Sequence, residues 1–67
     1  MSVYKVVDII GTSATSWEDA ALTAVNKAKE TLRDIRVAEV VKQDVELVGG
    51  DPLFRIKLSV SFKYESA

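Results

Sequence analysis

Two carboxylates placed in otherwise apolar segments are the side chains most able to carry chemistry, Asp8 and Glu39. Carboxylate oxygens are ligands that Ca²⁺ and Mg²⁺ favour. No EF-hand spacing is present, so an ion site would have to draw on several subunits. The commoner role for such a carboxylate is an ion pair, and both alternatives stay open here. The basic residues that could serve as partners are Lys5, Arg33, Arg36 and Arg55.

Nucleophilic catalysis lacks its usual components in this sequence. The chain has no His and no Cys, which removes the commonest general base at neutral pH, thiolate zinc sites and disulfides. The tripeptide Gly11–Ser13 precedes a predicted helix, but the second Gly and the Lys of a phosphate-binding loop are missing. We interpret it as a strand-to-helix turn, and we predict that the protein is not an enzyme.

Length and charge exclude further classes of protein. The 67 residues form one domain, 1–67, near the lower size limit for independent folding. Nine basic and ten acidic residues, without a basic run, argue against nucleic-acid binding. No apolar run approaches the ~20 residues of a membrane span, and Met1–Gly11 lacks the features of a signal peptide. We therefore predict a cytoplasmic protein without membrane contact.

Two long strands in the second half dominate the predicted fold. Apolar and polar residues alternate from Leu53 to Glu65, which indicates a strand with one buried and one wet face. The strand before it is predicted over Arg36–Leu47, and its apolar side switches midway, as at a β-bulge. The turn residues Gly49–Pro52 between them predict a hairpin. A first strand is predicted over Val3–Ile10.

One amphipathic helix is predicted between the first and second strands. Its apolar residues recur at three- and four-residue spacing from Trp17 to Ile35. A capping box formed by Thr15 and Glu18 predicts a start at Trp17 or the residue before it, and the pattern predicts an end near Asp34. We expect Trp17, at the head of the apolar stripe, to lie in the core or a subunit interface rather than to stack on a ligand.

The predicted dimensions argue for self-association. A helix of ~17 residues is about 26 Å long, whereas each hairpin strand runs to about 40 Å. One Ala-rich helix cannot cover that sheet, and a chain of this size without disulfides commonly gains stability by oligomerisation. A homo-oligomer is therefore predicted.

Several short motifs, taken together in their order and spacing, resemble the dodecin family over essentially the whole chain. The matching segments are Val3–Val6, Gly11–Ser13, Thr31–Arg33, Glu39-Val40 and the Val60-x-Phe62 ending. The resemblance implies an α+β fold in which a three-stranded antiparallel sheet wraps around one amphipathic helix. It also implies a hollow homododecamer that binds or stores small ligands.

Many dodecins bind pairs of flavins between subunits, against a Trp at the start of the second strand and a Gln early in the third. The matching positions in this chain are Val37 and Arg55. Val has no aromatic face, and a ring stack contributes ~1–3 kcal/mol, so we do not expect the usual flavin site. Because Arg55 could stack or pair with a phosphate, an altered flavin pocket stays open, as does a structural shell without a ligand.

A flavin-less branch of the family, described as calcium dodecin, resembles the chain more closely in Val3–Ile10, Ser16-Trp17 and Ile35–Ala38. That resemblance implies a shell of the same architecture that carries Ca²⁺. It assigns no coordinating residues, so Asp8 and Glu39 are the candidate metal ligands. The resulting prediction is a non-enzymatic dodecin-like shell that binds or sequesters small ligands or ions, with Ca²⁺ favoured over flavin.

Overall fold

The fold follows the predicted β-α-β-β order. The computed structural model describes residues 2–47 and 49–64. Its elements are β1 (Tyr4–Ser13), α1 (Trp17–Ala28), β2 (Ile35–Glu46) and β3 (Leu53–Lys63). The strands form one antiparallel sheet in the order β1-β3-β2, which confirms the predicted hairpin and fold class. Glu65, where the third strand was predicted to end, lies outside the described residues.

The core lies between α1 and the central strand β3. Ile56, Leu58 and Val60 alternate along β3 and are at most 2% exposed. Ala20 and Ala24 of α1 pack against them. The alternation predicted for this strand is therefore confirmed: one face builds the core, and the other is left for polar groups.

Close approach of α1 to the sheet depends on small residues where they cross. Ala20 is fully buried, and a Cβ on Gly11 would collide with the Ala20 carbonyl group. Because glycine accommodates the helix without interrupting the ladder, β1 continues to Ser13, past the predicted end at Ile10. Gly11 is thus a packing residue within a strand rather than part of a turn.

The helix begins with a cap that differs from the predicted capping box. Ser16 is the N-cap, and its Oγ accepts a hydrogen bond from the backbone N–H of Asp19 at 3.0 Å. Ser13 Oγ donates to the Asp19 carboxylate at 2.7 Å and accepts from the backbone N–H of Thr15 at 2.9 Å. The prediction of a Thr15–Glu18 pair was wrong because Ser13, at the end of β1, holds Asp19 and organises this turn instead.

The helix ends at Ala28, well before the predicted end near Asp34. In the turn that follows, the backbone N–H groups of Glu30 and Thr31 donate to carbonyls three residues earlier, and the N–H of Leu32 donates to the Ala28 carbonyl. Asp34 has a φ of 56°, a left-handed conformation that a right-handed helix cannot contain. Leu32 and Ile35 still pack against the core from outside the helix, which is why the apolar spacing continued where the helix did not.

The second strand contains the irregularity that its apolar pattern predicted. It spans Ile35–Glu46 rather than Arg36–Leu47, and its register with β3 shifts at two places. The second shift lies between Val40 and Lys42. A residue inserted there moves everything beyond it to the opposite face of the sheet. The predicted bulge is confirmed.

The helix covers only part of the sheet. It packs on β1 and β3, whereas β2 makes most of its contacts with β3. Val40, Val45 and Leu47 are consequently 52%, 36% and 73% exposed. The 12 residues of α1 span about 18 Å and the 11 of β3 about 36 Å, so the mismatch exceeds the predicted one. In the described part of the chain no helix is long and apolar enough to cross a membrane.

Candidate functional site

The candidate site is the outer face of the sheet, the face turned away from α1. Directly opposed residues of an antiparallel sheet project to the same face, so the strand register identifies its members. On β1 they are Tyr4, Val6, Asp8, Ile10 and Thr12; on β3 they are Leu53, Arg55, Lys57, Ser59, Ser61 and Lys63; on β2 they are Val37, Glu39, Lys42, Asp44 and Glu46. All four residues singled out from the sequence lie on this face.

Asp8 and Glu39 lie in one row across the outer face. Both are paired with Ser59, Asp8 from β1 and Glu39 from β2. With neighbouring strands about 4.8 Å apart, their Cα atoms are about 10 Å apart. Both side chains are exposed, and among the described residues neither takes part in an ion pair. The ion-pair alternative with Lys5, Arg33, Arg36 or Arg55 is therefore not what the structure shows.

By itself, this acidic row has too few ligands for a metal coordination shell. One chain contributes two carboxylates and the Ser59 hydroxyl, and the described residues contain no group of three acidic side chains able to hold a metal ion. Ca²⁺ takes six to eight oxygen ligands. Water or a second subunit would have to supply the others.

Arg55 is held by a carboxylate that sequence reasoning missed. Its Nε and Nη2 donate to the two carboxylate oxygens of Asp44 at 2.7 and 2.8 Å, and Glu46 lies 3.9 Å from Nη1. The hydrogen bonds from Arg55 lower the pKa of Asp44. Partial desolvation raises this pKa, and the positive charges of Arg55 and Lys42 lower it further, so the net effect is a lowered pKa. The same hydrogen bonds raise the pKa of Arg55.

The sequence carried only part of the signal for the Arg55–Asp44 pair. Opposite charges stand on the two sides of the predicted turn Gly49–Pro52, but a hairpin centred on that turn would place Asp44 opposite Lys57. Asp44 pairs with Arg55 because β2 ends at Glu46 and β3 begins at Leu53, each two residues away. Trp17 also contacts Asp44: its Nε1–H donates a hydrogen bond to the Asp44 backbone carbonyl at 3.1 Å. The Trp17 ring packs edge-on against Phe54, with centroids 5.1 Å apart, which confirms a core role.

The two positions that match the flavin site of relatives are far apart in one chain. Val37 is paired with Ser61, six residues along β3 from Arg55, a distance of about 20 Å. Val37 offers no ring, and Trp17 cannot substitute for one because it packs with Phe54 on the inner face. The guanidinium of Arg55 is already engaged by Asp44. None of these features favours flavin.

Next to the acidic row is a shallow cavity of about 170 Å³, here called the lysine cavity. Its lining residues are Ile10, Lys42, Asp44, Arg55 and Lys57. A larger apolar groove of about 530 Å³ lies between α1 and β1, with Val7, Ile9, Ala24, Ala28 and Leu32 among its lining residues. The outer face thus carries the charged features, and the groove beside the helix carries the apolar one.

Comparison with known proteins identifies the family. The Dodecin family profile matches residues 3–65. Calcium dodecin of Mycobacterium tuberculosis is 57% identical over 68 residues, covering 100% of this chain and 96% of the relative.

Solved structures agree with that match. The crystal structure of the M. tuberculosis protein, described as a calcium-chelating immunodominant antigen with a novel calcium-binding site, superposes with a TM-score of 0.85 at 57% identity, covering 96% of this chain and 93% of that one. Dodecin from Streptomyces coelicolor superposes with a TM-score of 0.90 at 27% identity, covering 98% and 96%. A Thermus thermophilus dodecin variant gives 0.90 at 32% identity, covering 100% of both chains. The chain belongs to the dodecin family.

Proposed function

We propose that this chain is a non-enzymatic calcium-binding dodecin that works as a homododecameric shell. The observation that carries the proposal is the 57% identity, over the full length of the chain, with a protein named calcium dodecin. Dodecins are ligand-binding or storage proteins rather than enzymes, in agreement with the prediction made from the absence of His and Cys. A cytoplasmic location stays a prediction.

The acidic row is the part of the chain that we assign to the ion. Asp8 and Glu39 are exposed, project to the same side, and flank the hydroxyl of Ser59. Hard oxygen ligands of this kind suit Ca²⁺, which accepts a flexible shell more readily than Mg²⁺. Because one chain supplies an incomplete shell, we place the ion where rows from neighbouring subunits or ordered waters complete it.

Exposed apolar surface on the single chain supports the proposal that the protein assembles into a shell. Val40 and Val45 of the edge strand β2, and Leu47 just after it, are exposed, and the apolar groove runs beside the other edge strand. Burying apolar surface contributes about 25 cal/mol per Å², so covering both regions with other copies would stabilise a chain too small to do so alone.

Flavin storage is the weaker alternative. A flavin ring would meet Val37 instead of an aromatic ring, and it would have to compete with Asp44 for the guanidinium of Arg55. We therefore expect no quenching of riboflavin fluorescence at micromolar ligand. Strong quenching would favour flavin storage over the calcium proposal.

The decisive experiment compares Ca²⁺ with Mg²⁺ by calorimetry and thermal unfolding of the assembled protein. Ca²⁺ at 100 times its Kd should stabilise the fold by about 2.7 kcal/mol. Asp8→Asn and Glu39→Gln should each weaken Ca²⁺ binding about tenfold or more, a loss of about 1.4 kcal/mol. The matched control is Asp51→Asn, which removes an exposed carboxylate in the hairpin turn.

The outcomes separate the alternatives. If an intact dodecamer shows no response to Ca²⁺, the calcium proposal is contradicted and a structural shell that does not bind this ion is favoured. A response that Asp51→Asn reduces as much as Asp8→Asn would contradict the assignment of the acidic row. A stable monomer of 7.4 kDa in light scattering would contradict the shell itself.

A further inference from the structure

The lysine cavity has a charge arrangement that neither the core nor the calcium proposal uses. Lys42 and Lys57 are direct cross-strand partners on β2 and β3. Like charges placed opposite each other destabilise an antiparallel pair. Within residues 2–47 and 49–64, neither lysine takes part in an ion pair shorter than 4 Å. Both side chains line the lysine cavity.

On the side of the cavity away from the acidic row, the carboxylates are engaged by Arg55. Both oxygens of Asp44 accept hydrogen bonds from Arg55, and Glu46 approaches the same guanidinium from the other side. Lys42 is close enough to Asp44 to help lower its pKa, but it forms no ion pair with it. Three cations and one carboxylate line the cavity, so its lining carries a formal charge of +2, and the charges that are not in an ion pair among the described residues are those of Lys42 and Lys57.

The β2 bulge brings these charges onto one face of the sheet. Lys42 follows the β2 bulge, and without the register shift after Val40 its side chain would project toward the helix instead. The cavity holds about 170 Å³, several times the ~30 Å³ share of a liquid water. Ile10, 60% exposed, is its apolar wall.

We infer that the lysine cavity binds an oxyanion of the phosphate class, either free or as the terminal phosphate of a larger molecule. The ammonium groups of Lys42 and Lys57 donate to its oxygens, since lysine serves as a point-charge phosphate ligand. Asp8 and Glu39 in the next row repel an anion, so it sits on the Arg55 side of Lys57. Ile10 contacts whatever organic group the phosphate carries.

The test titrates inorganic phosphate into the assembled wild-type protein without Ca²⁺, with binding followed by calorimetry and ³¹P line broadening. Chloride at equal ionic strength serves as the reference, because general screening then contributes equally to both titrations. Lys42→Gln and Lys57→Gln should each weaken phosphate binding about tenfold, as expected for loss of one charge-assisted hydrogen bond. Lys29→Gln, at an exposed position just after the helix, is the matched control and should bind like the wild type.

Each outcome is decisive. A tenfold loss in both cavity variants, with Lys29→Gln unchanged, supports the site. No binding by the wild type, equal loss in all three variants, or unchanged binding by Lys57→Gln overturns it. Phenylphosphate, which carries an organic group, should bind more tightly than inorganic phosphate through Ile10, whereas equal binding would assign the site to free phosphate. Light scattering confirms that the variants keep their assembly, and the result is independent of Ca²⁺ binding.

Discussion

The two faces of the sheet are built on opposite principles. The inner face buries Ile56, Leu58 and Val60 against small helix residues, and no buried polar side-chain atom in the described part of the chain lacks a hydrogen-bond partner. The outer face carries an acidic row, two opposed lysines and a closed ion pair. The part of the inner face beneath the helix therefore stabilises the single chain, whereas the outer face keeps Asp8, Glu39, Lys42 and Lys57 outside any ion pair among the described residues.

The largest expected effect tests the inner face at its centre. Leu58→Ala should lower the free energy of unfolding by about 2–5 kcal/mol, because it removes a fully buried side chain and leaves a cavity. Its neighbour Ser59 points to the outer face, and Ser59→Ala should change stability by less than about 0.5 kcal/mol. Urea unfolding at equal protein concentration measures both. Equal losses would mean that the two faces do not differ in this way.

Gly11→Ala should rank next. The added Cβ has no room beside the Ala20 carbonyl, so the helix must move away, at a cost of about 1–3 kcal/mol. The adjacent Thr12 lies on the outer face, and Thr12→Ala is the control, expected within about 0.5 kcal/mol of wild type. Thermal unfolding checks the pair, and a Gly11→Ala protein as stable as wild type would show that this close approach is not required.

A smaller loss is expected at the helix N-terminus. Ser16→Ala removes the N-cap oxygen that accepts from Asp19, which typically costs about 1 kcal/mol. Thr15→Ala should cost less than about 0.5 kcal/mol, because the hydroxyl of Thr15 has no capping role. If Thr15→Ala were the more damaging change, the predicted Thr15–Glu18 box would be the correct cap.

The smallest effect belongs to the outer-face ion pair and depends on pH. The folded-state pKa of Asp44 lies below its unfolded value, so the pair stabilises the fold above the unfolded pKa and this contribution is lost as pH falls through the folded pKa. Both side chains are more than 30% exposed, so the contribution is small and weakens with added salt. Asp44→Asn should reduce the loss of unfolding free energy at acidic pH, measured by urea unfolding at a series of pH values. If the loss is unchanged in this variant, other carboxylates cause it.

Sequence patterns predicted the elements better than their ends. The alternation along β3 and the turn residues Gly49–Pro52 are local signals, and they correctly predicted the hairpin. The parity switch in β2 is local as well, and it predicted the bulge. The helix end was missed because Leu32 continues the apolar spacing from outside the helix, packing on the same core. Periodicity reports which side chains are buried and not which backbone carries them.

The candidate site was predicted only in part for a related reason. Asp8 and Glu39 stood out because each is a carboxylate in an apolar segment, but that they share a row with Ser59 depends on pairing between three strands. Arg55 was singled out without Asp44, and Lys42 and Lys57 were taken only as polar positions of their strands. Cross-strand neighbours are far apart in sequence, so their combined charge emerges only with the register.

What the sequence determined by itself is the order of elements, the apolar face of β3 and a chemistry without His or Cys, since composition and short-range periodicity are enough for these. Tertiary structure alone decided the rows of the outer face. A bulge between Val40 and Lys42 sets which β2 side chains face outward, and a change of one residue in that register would turn every following side chain to the other face. The makeup of the candidate site in this small fold therefore depends on strand register more than on any single motif.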